Sequence, residues 1–373
     1  MLRFDQLSYW ERAQYLSNHT FGIVGAGLVG MSTALSLRER FPTEKIVILE
    51  RGYLPTGAST KNAGFACFGS PTELKDDLEN MTEARVWETV ALRLEGLELL
   101  QKRVRADQMD YKNSGSWDLI GQHEAKLEPD FVAYLNREMK QNFGLEQVYS
   151  IDNKFQQTFG FEGYQAAYFN AYEGSIDTGQ LIQTLYKQCI AADIHFLFAT
   201  EVQHWGSNAQ NVEVHTQHGA LVVQQLLLCT NGFAQASFPT ELRPARAQVL
   251  LTKPLAHHIK GTFHSDRGYY YFRDIGQRIL LGGGRNLDFE AETTTAFEQN
   301  ERIRAALIAK LSHEILPGQA FEIEQEWSGI MCVGDEKKPI IRSLNKNVHA
   351  GVRMGGMGIA IGSAVGDALS KMV

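Results

Sequence analysis

The 373-residue chain predicts an α/β fold, and three features of its first fifty residues carry that prediction. TFGIV (20–24) is a short apolar run that reads as a buried strand, GAGLVG follows at once, and a second run, KIVILE, ends in an acid at Glu50. GAGLVG continues into MSTALSLRERF as a helix with Leu28, Met31, Ala34 and Leu35 on one face, and Pro42 closes it. Strand, glycine turn, helix and strand in that order form the β-α-β unit of a parallel sheet.

Each part of this unit has a physical task. Gly25 permits the tight strand-to-helix turn, Gly27 lets backbone approach a pyrophosphate, and Gly30 lets the helix lie close to its strand. Ala26, Leu28 and Val29 complete a turn whose N–H groups and helix dipole favour phosphate. Glu50, with Arg51 beside it, stands where an acid accepts hydrogen bonds from ribose hydroxyls and repels a 2′-phosphate. The motif predicts a dinucleotide site without choosing between NAD and FAD.

The stretch GASTKNAGFACFGS (57–70) helps choose. A loop so poor in bulk can lie against a flat ring system and offer backbone N–H groups. Ser59 and Asn62 are candidates to bond a pyrophosphate or flavin edge, and Lys61 supplies positive charge.

From these residues onward the chain resembles the D-amino-acid oxidase-like family of FAD-dependent oxidoreductases, which includes glycine oxidase and sarcosine oxidase. The likeness continues through RPARAQVLLTKPL (243–255), YYYFRDIGQRILLGGGRNLD (269–288), EWSGIMCVGDEKKPII (326–341) and HAGVRMGGMGIAIGSAVGDAL (349–369). The resemblance implies a Rossmann-like, discontinuous FAD-binding domain (1–80, 150–240 and 336–373). It also implies a second, α+β substrate domain on a mixed sheet (81–149 and 241–335). It places Ser59, Thr60, Lys61, Asn62, Ala63 and Gly64 at the flavin or its phosphates, Val202 at the adenine, and Thr230, Asn231, Gly232 and Gly329 beside the cofactor. Gly355, Gly356, Met357 and Gly358 would bring the last helix's N-terminus, near Ile359, to the flavin.

The implied activity is oxidation of a small amine or amino acid by hydride transfer to flavin N5, with FAD held non-covalently. A hydroxy-acid or polyol-phosphate dehydrogenase and the FAD part of a tRNA-modifying enzyme are the alternatives. The family's carboxylate-clamping arginines and its oxygen-activating lysine fall on Met331, Met354 and Leu280 here. The remaining candidates to hold substrate are Arg353, Arg273 and Arg285, with Tyr271, or its neighbours Tyr270 and Phe272, closing the pocket. Cys332 lies one residue from a position at which some members attach FAD covalently.

The rest of the pattern is plainer. Helices are expected over 72–105, 122–145, 175–194 and 295–314, with strands at 115–121 and through 194–233. The N-terminal stretch is expected to form an amphipathic helix whose Phe4, Leu7, Trp10 and Tyr15 pack on the body. A net charge of −7 argues against nucleic acid as a partner. No apolar run reaches membrane-spanning length. Four scattered cysteines, Cys67, Cys189, Cys229 and Cys332, read as reduced thiols of a cytoplasmic protein. Neither they nor the histidines (His257, His258 and His264 among them) have metal-ligand spacing. The electron acceptor would be oxygen or an electron-transfer partner.

Overall fold

A computed structural model describes residues 3–256 and 259–373; His257 and His258 lie outside the described residues. Two eight-stranded sheets organise the chain. The first runs in the order Ile340–Asn345, Val348–Val352, Gly219–Leu228, His19–Val24, Ile46–Leu49, His195–Leu197. Four of the five pairings along it are parallel, all but Ile340–Asn345 with Val348–Val352, and an antiparallel arm, Val202–Ser207 and Val212–Thr216, extends from Gly219–Leu228. His19–Val24 and Ile46–Leu49 are buried almost throughout, as central parallel strands covered on both faces must be.

Helices Leu28–Arg40 and Gly358–Ser370 pack against each other over this sheet. Gly362 lies on Leu28 and Gly366 on Ser32 and Thr33, so the contact is one of small residues. Gly30 is where the glycine turn becomes compulsory. A Cβ there would lie 1.9 Å from the carbonyl oxygen of Gly25, which itself holds φ at +105°.

The second sheet runs Ile323–Val333, Arg243–Thr252, Arg278–Gly283, Tyr270–Ile275, Thr262–Ser265, Ser116–Gly121, Tyr164–Asn170, Tyr149–Ile151. All its pairings are antiparallel except Thr262–Ser265 with Ser116–Gly121, so it is mixed. Aromatic residues Phe161, Phe263 and Phe272 fill its core, with Phe263 and Phe272 stacked at 4.7 Å.

Several expectations are corrected. The chain does not return to the first sheet at residue 150: Tyr149–Ile151 and Tyr164–Asn170 pair within the second sheet, and the return begins near Gly174–Ser175. The expected 72–105 helix is two, Pro71–Asn80 and Glu83–Arg103, each with its own start at Ser70 and Thr82. The strand reading of 194–205 breaks at Ala199, whose φ is +50°. The N-terminal stretch is not one amphipathic helix. A capping box between Ser8 and Glu11 restarts the helix, so Phe4 and Trp10 fall out of phase. Phe4 packs by His218, while Trp10 is 78% exposed.

Candidate active site

A connected cavity of about 1360 Å³ opens where Val24, Leu49 and Leu228 end three parallel strands, and it continues to Tyr271 and Gly283 on the second sheet. Ligands of open parallel sheets bind at such carboxyl ends. The volume exceeds the roughly 300–1,000 Å³ of an ordinary small-molecule pocket.

At the first sheet, Gly25, Gly27, Leu28 and Val29 line the cavity. Gly27 has no side chain to cap the helix that begins at Leu28, so its first N–H groups are left to other acceptors. One of these is Ser59, whose Oγ accepts the N–H of Leu28 at 3.0 Å. Glu50 accepts the N–H groups of Ala26 and Gly52, each at 2.9 Å, which fixes its carboxylate at the strand end. Each oxygen keeps a lone pair for a further donor. Arg51 lies over the ring of Phe233 at 3.8 Å. Val202, Thr230, Asn231, Gly232 and Gly329 also line the cavity. Asn231 accepts the N–H of Met354 at 3.2 Å, tying the closing loop to the end of Gly219–Leu228.

The 57–70 stretch is more ordered than a bare loop. Ala58–Lys61 forms a helical turn and Phe65–Ala66 a short strand. Lys61, Asn62 and Ala63 border the cavity. The Asn62 side chain, however, is spent locally: its amide donates to the carbonyls of Ala58 and Ser59, and its oxygen accepts from Gly64 N–H. Thr60 turns to Pro55, bonding its carbonyl at 2.7 Å, and neither Thr60 nor Gly64 lines the cavity. Ala26 and Gly30 likewise serve from behind the lining.

At the second sheet, Tyr271 and Arg285 line the cavity and Arg273 and Arg353 do not. Arg353 has a φ of +66°, which turns its side chain to the carbonyls of Lys338 and Glu241. Arg273 donates to the Gly64 carbonyl at 3.3 Å and braces the 57–70 stretch from behind. Burial raises the Tyr271 hydroxyl to about 12, so it is neutral. Met331 and Met354, at the family's arginine positions, face the cavity. Leu280 is packed with Ala63 and Val249. Cys332 is fully buried in the core with Val352 and Leu242, turned from the cavity that its neighbour Met331 lines.

Arg285, like Arg51 and Lys61, is a cation of the cavity wall without an ion pair among the described residues. Its guanidinium rests on the Phe289 ring at 4.8 Å. Burial depresses its basicity, the mark of a charge short of a counter-ion.

A polar cluster that reaches the cavity through Glu73 and Lys337 has no sign in the sequence. Glu73 bonds Arg93 at 3.0 Å and Lys337 at 3.4 Å, and Lys337 also pairs with Asp77. Asp118 accepts from both the N–H and the hydroxyl of Thr72, at 2.9 and 2.7 Å. Glu173, fully buried, accepts from Phe68 N–H, Gly69 N–H and the Ser116 hydroxyl. His264 and Cys67 line the cavity beside them. Cys67, Glu173 and His264 bring ligand atoms within 4.8 Å of one another, but both Glu173 oxygens are already engaged. Burial, then Glu173, pushes the Cys67 thiol well above its usual range. These residues come from six separate segments, and no local spacing announces them.

Among the described residues no helix is long and apolar enough to cross a membrane. Glycine turn, strand-end acid, uncapped helix start and smooth-walled loop together define a dinucleotide-binding α/β protein. The chain belongs to the FAD dependent oxidoreductase family (DAO), which it matches over residues 21–372. It is accordingly an FAD-dependent oxidoreductase. A search of curated proteins finds no match. Its fold is similar to that of L-proline dehydrogenase from P. horikoshii (16% identity, 95% of this chain and 92% of that one, TM-score 0.75). It is also similar to glycine oxidase from Geobacillus kaustophilus (17%, 95% and 94%, 0.74) and iminodiacetate oxidase from Chelativorans sp. BNC1 (16%, 94% and 94%, 0.73).

The residues present fit FAD. The Gly27 face has no room for a side chain, since a Cβ would meet Ser59 Oγ at 2.8 Å. Gly355 and Gly356, with φ of +58° and +82°, bring the closing loop to the cavity, and no side chain caps the helix that follows. Two helix starts thus face one cavity, one suited to phosphate and the other to a ring edge that becomes negative.

Proposed function

We propose that the protein oxidises a small amine or amino acid that carries a carboxylate, using non-covalently held FAD. The observation that carries this reading is Arg285, a cation without a partner on the cavity wall. A guanidinium fork matches a carboxylate's two oxygens. The solved structures of similar fold are named for proline, glycine and iminodiacetate, each an amine with a carboxylate.

Bound FAD supplies the two-electron acceptor for the substrate's C–H hydride. The chain's part is to bind, orient and exclude water. Arg285 holds the carboxylate, the Tyr271 ring and Met331 and Met354 form apolar walls, and the Gly358–Ser370 helix start favours negative charge. Non-covalent attachment is supported by the direction of Cys332, which faces the core. Arg353 and Arg273 are assigned to bracing rather than to substrate.

The test is anaerobic reduction of the purified yellow protein with amines, amino acids and matching 2-hydroxy acids. Bleaching by amino acids and not by hydroxy acids supports the reading. Bleaching by hydroxy acids alone makes the protein a hydroxy-acid dehydrogenase. Release of free FAD on acid precipitation checks the mode of attachment.

A further inference from the structure

His264 lines the cavity on strand Thr262–Ser265, the edge of its ring against Phe65 at 4.9 Å. Its Nε2 is sealed from solvent and has no hydrogen-bond partner. In the parallel ladder its Cα partner is Asp118, so the two side chains leave neighbouring strands on the same face. Asp118 is 2% exposed, and its Oδ1 is also buried without a partner, while Oδ2 takes both donors of Thr72. The ladder thus sets a buried carboxylate oxygen and a buried imidazole nitrogen on adjacent strands, each short of one hydrogen bond and not bonded to the other. A buried polar atom without a partner calls for an explanation, and a catalytic role is one.

The other groups facing His264 are already committed. Glu173 spends both oxygens on Phe68, Gly69 and Ser116. Glu73, on helix Pro71–Asn80, is held by Arg93 and Lys337. Cys67 and Tyr271 are kept neutral by burial. Asp118 is the acid with an oxygen to spare.

We propose that His264 is the base that takes the ammonium proton of the substrate, and that Asp118 is the positioning residue that orients its ring. The inference rests on the amine reading above. One N–H bond of the ammonium breaks and one forms on the imidazole, leaving the lone pair on the substrate nitrogen. The imidazolium then returns its proton to water through the cavity mouth. Asp118 changes nothing covalently; its Oδ1 accepts the ring N–H and shares the charge.

The experiment uses the holoenzyme and the best amine or amino-acid reductant of the panel, in anaerobic stopped flow across pH, for wild type, H264N, H264Q and D118N. Histidine-ring NMR of the same proteins is the second readout. The proposal expects both His264 variants to lose about 100-fold in the reduction rate at the optimum and to lose the acid limb of the profile. D118N should keep the limb, move it to lower pH and shift the His264 ring resonances. A wild-type-like profile in H264N and H264Q, with amines still bleaching the flavin, overturns the base assignment and leaves the amine reading standing. No movement of the His264 resonances in D118N overturns the pairing. If no amine or amino acid bleaches the wild type, the amine reading fails, and the proton role falls with it.

Discussion

Ser59 Oγ accepts the backbone N–H of Leu28 at 3.0 Å and thereby joins the small-residue loop to the first turn of the glycine-motif helix. The hydroxyl stands in for a cap that Gly27 cannot provide, and its own hydrogen stays free to donate to a phosphate. S59A leaves the Leu28 donor unpaired at the phosphate end. Loss of a cap of this kind costs about 1 kcal/mol, so FAD should bind roughly five- to tenfold more weakly. Fluorescence titration of the deflavinated protein with FAD measures it, and an unchanged affinity would remove Ser59 from the phosphate site.

Gly30 tests the packing beneath that turn. With 1.9 Å between a Cβ and the Gly25 carbonyl oxygen, the helix and strand cannot both stay in place. G30A should lose about 2–3 kcal/mol of stability, by the cost of overpacking a close contact. Thermal unfolding of the FAD-free protein isolates this from any loss of cofactor binding.

The opening β-α-β unit was legible because every cue lies within fifty residues and each acts on its near neighbours. What escaped depended on geometry set elsewhere. Asn62 looked like a ligand group, but the helical turn Ala58–Lys61 offers its amide two carbonyls, at 3.0 and 2.9 Å. Arg353 sits within the glycine-rich closing loop as expected, yet its backbone is left-handed and its buried guanidinium is held by the carbonyls of Lys338 and Glu241, off the cavity lining. Asp118 and His264 meet only through a ladder between distant strands, so neither segment carries a sign of the other. The boundary at 150 failed for a similar reason. Tyr164–Asn170 reads like any alternating strand, and only its pairing with Ser116–Gly121 assigns it to a sheet.

Glu73 and Arg93 make the cluster's strongest pair, with the Arg93 side chain 3% exposed. Burial alone would raise the Glu73 carboxyl from 4.5, but Arg93 and then Lys337 outweigh it and hold it at about 2. A depressed acid contributes stability that is full above its unfolded value and is lost as pH falls from about 4.5 toward 2. E73Q leaves Arg93 buried beside a neutral group, at a cost of about 3 kcal/mol near neutrality. Urea unfolding at pH 7 and pH 3 should show the gap between wild type and E73Q narrowing at the lower pH.

Arg285 should discriminate substrates by charge. R285A removes the carboxylate's partner, and a hydrogen-bonded charge pair is worth about 1.5–3 kcal/mol, or roughly 10- to 150-fold in kcat/KM. The loss should fall on carboxylated amines and spare uncharged ones. R285K should recover only part, since a point charge cannot match both oxygens. Equal losses for both substrate classes would assign Arg285 to the Phe289 loop alone.

Asp118 sets stability against use. Burial raises its carboxyl from 3.8 to about 6, and the two donors of Thr72 pull it only part of the way back. Folding therefore favours the protonated form below about 6 and leaves a buried carboxylate at neutral pH. This favourable contribution is complete below about 3.8 and is lost as pH rises through about 6, leaving a cost at neutral pH. That cost is roughly 2–3 kcal/mol at about 1.4 kcal/mol per pKa unit. The amide oxygen of the D118N side chain keeps the Thr72 bonds without ionising. D118N should thus be more stable than wild type at pH 8 by roughly 1–3 kcal/mol, with the difference vanishing near pH 4. Chemical denaturation of the apoprotein at both pH values checks it. A gain in stability together with a slowed, pH-shifted reduction of the holoenzyme is what an acid kept for orientation produces. A residue kept only for packing would lose on both counts or on neither.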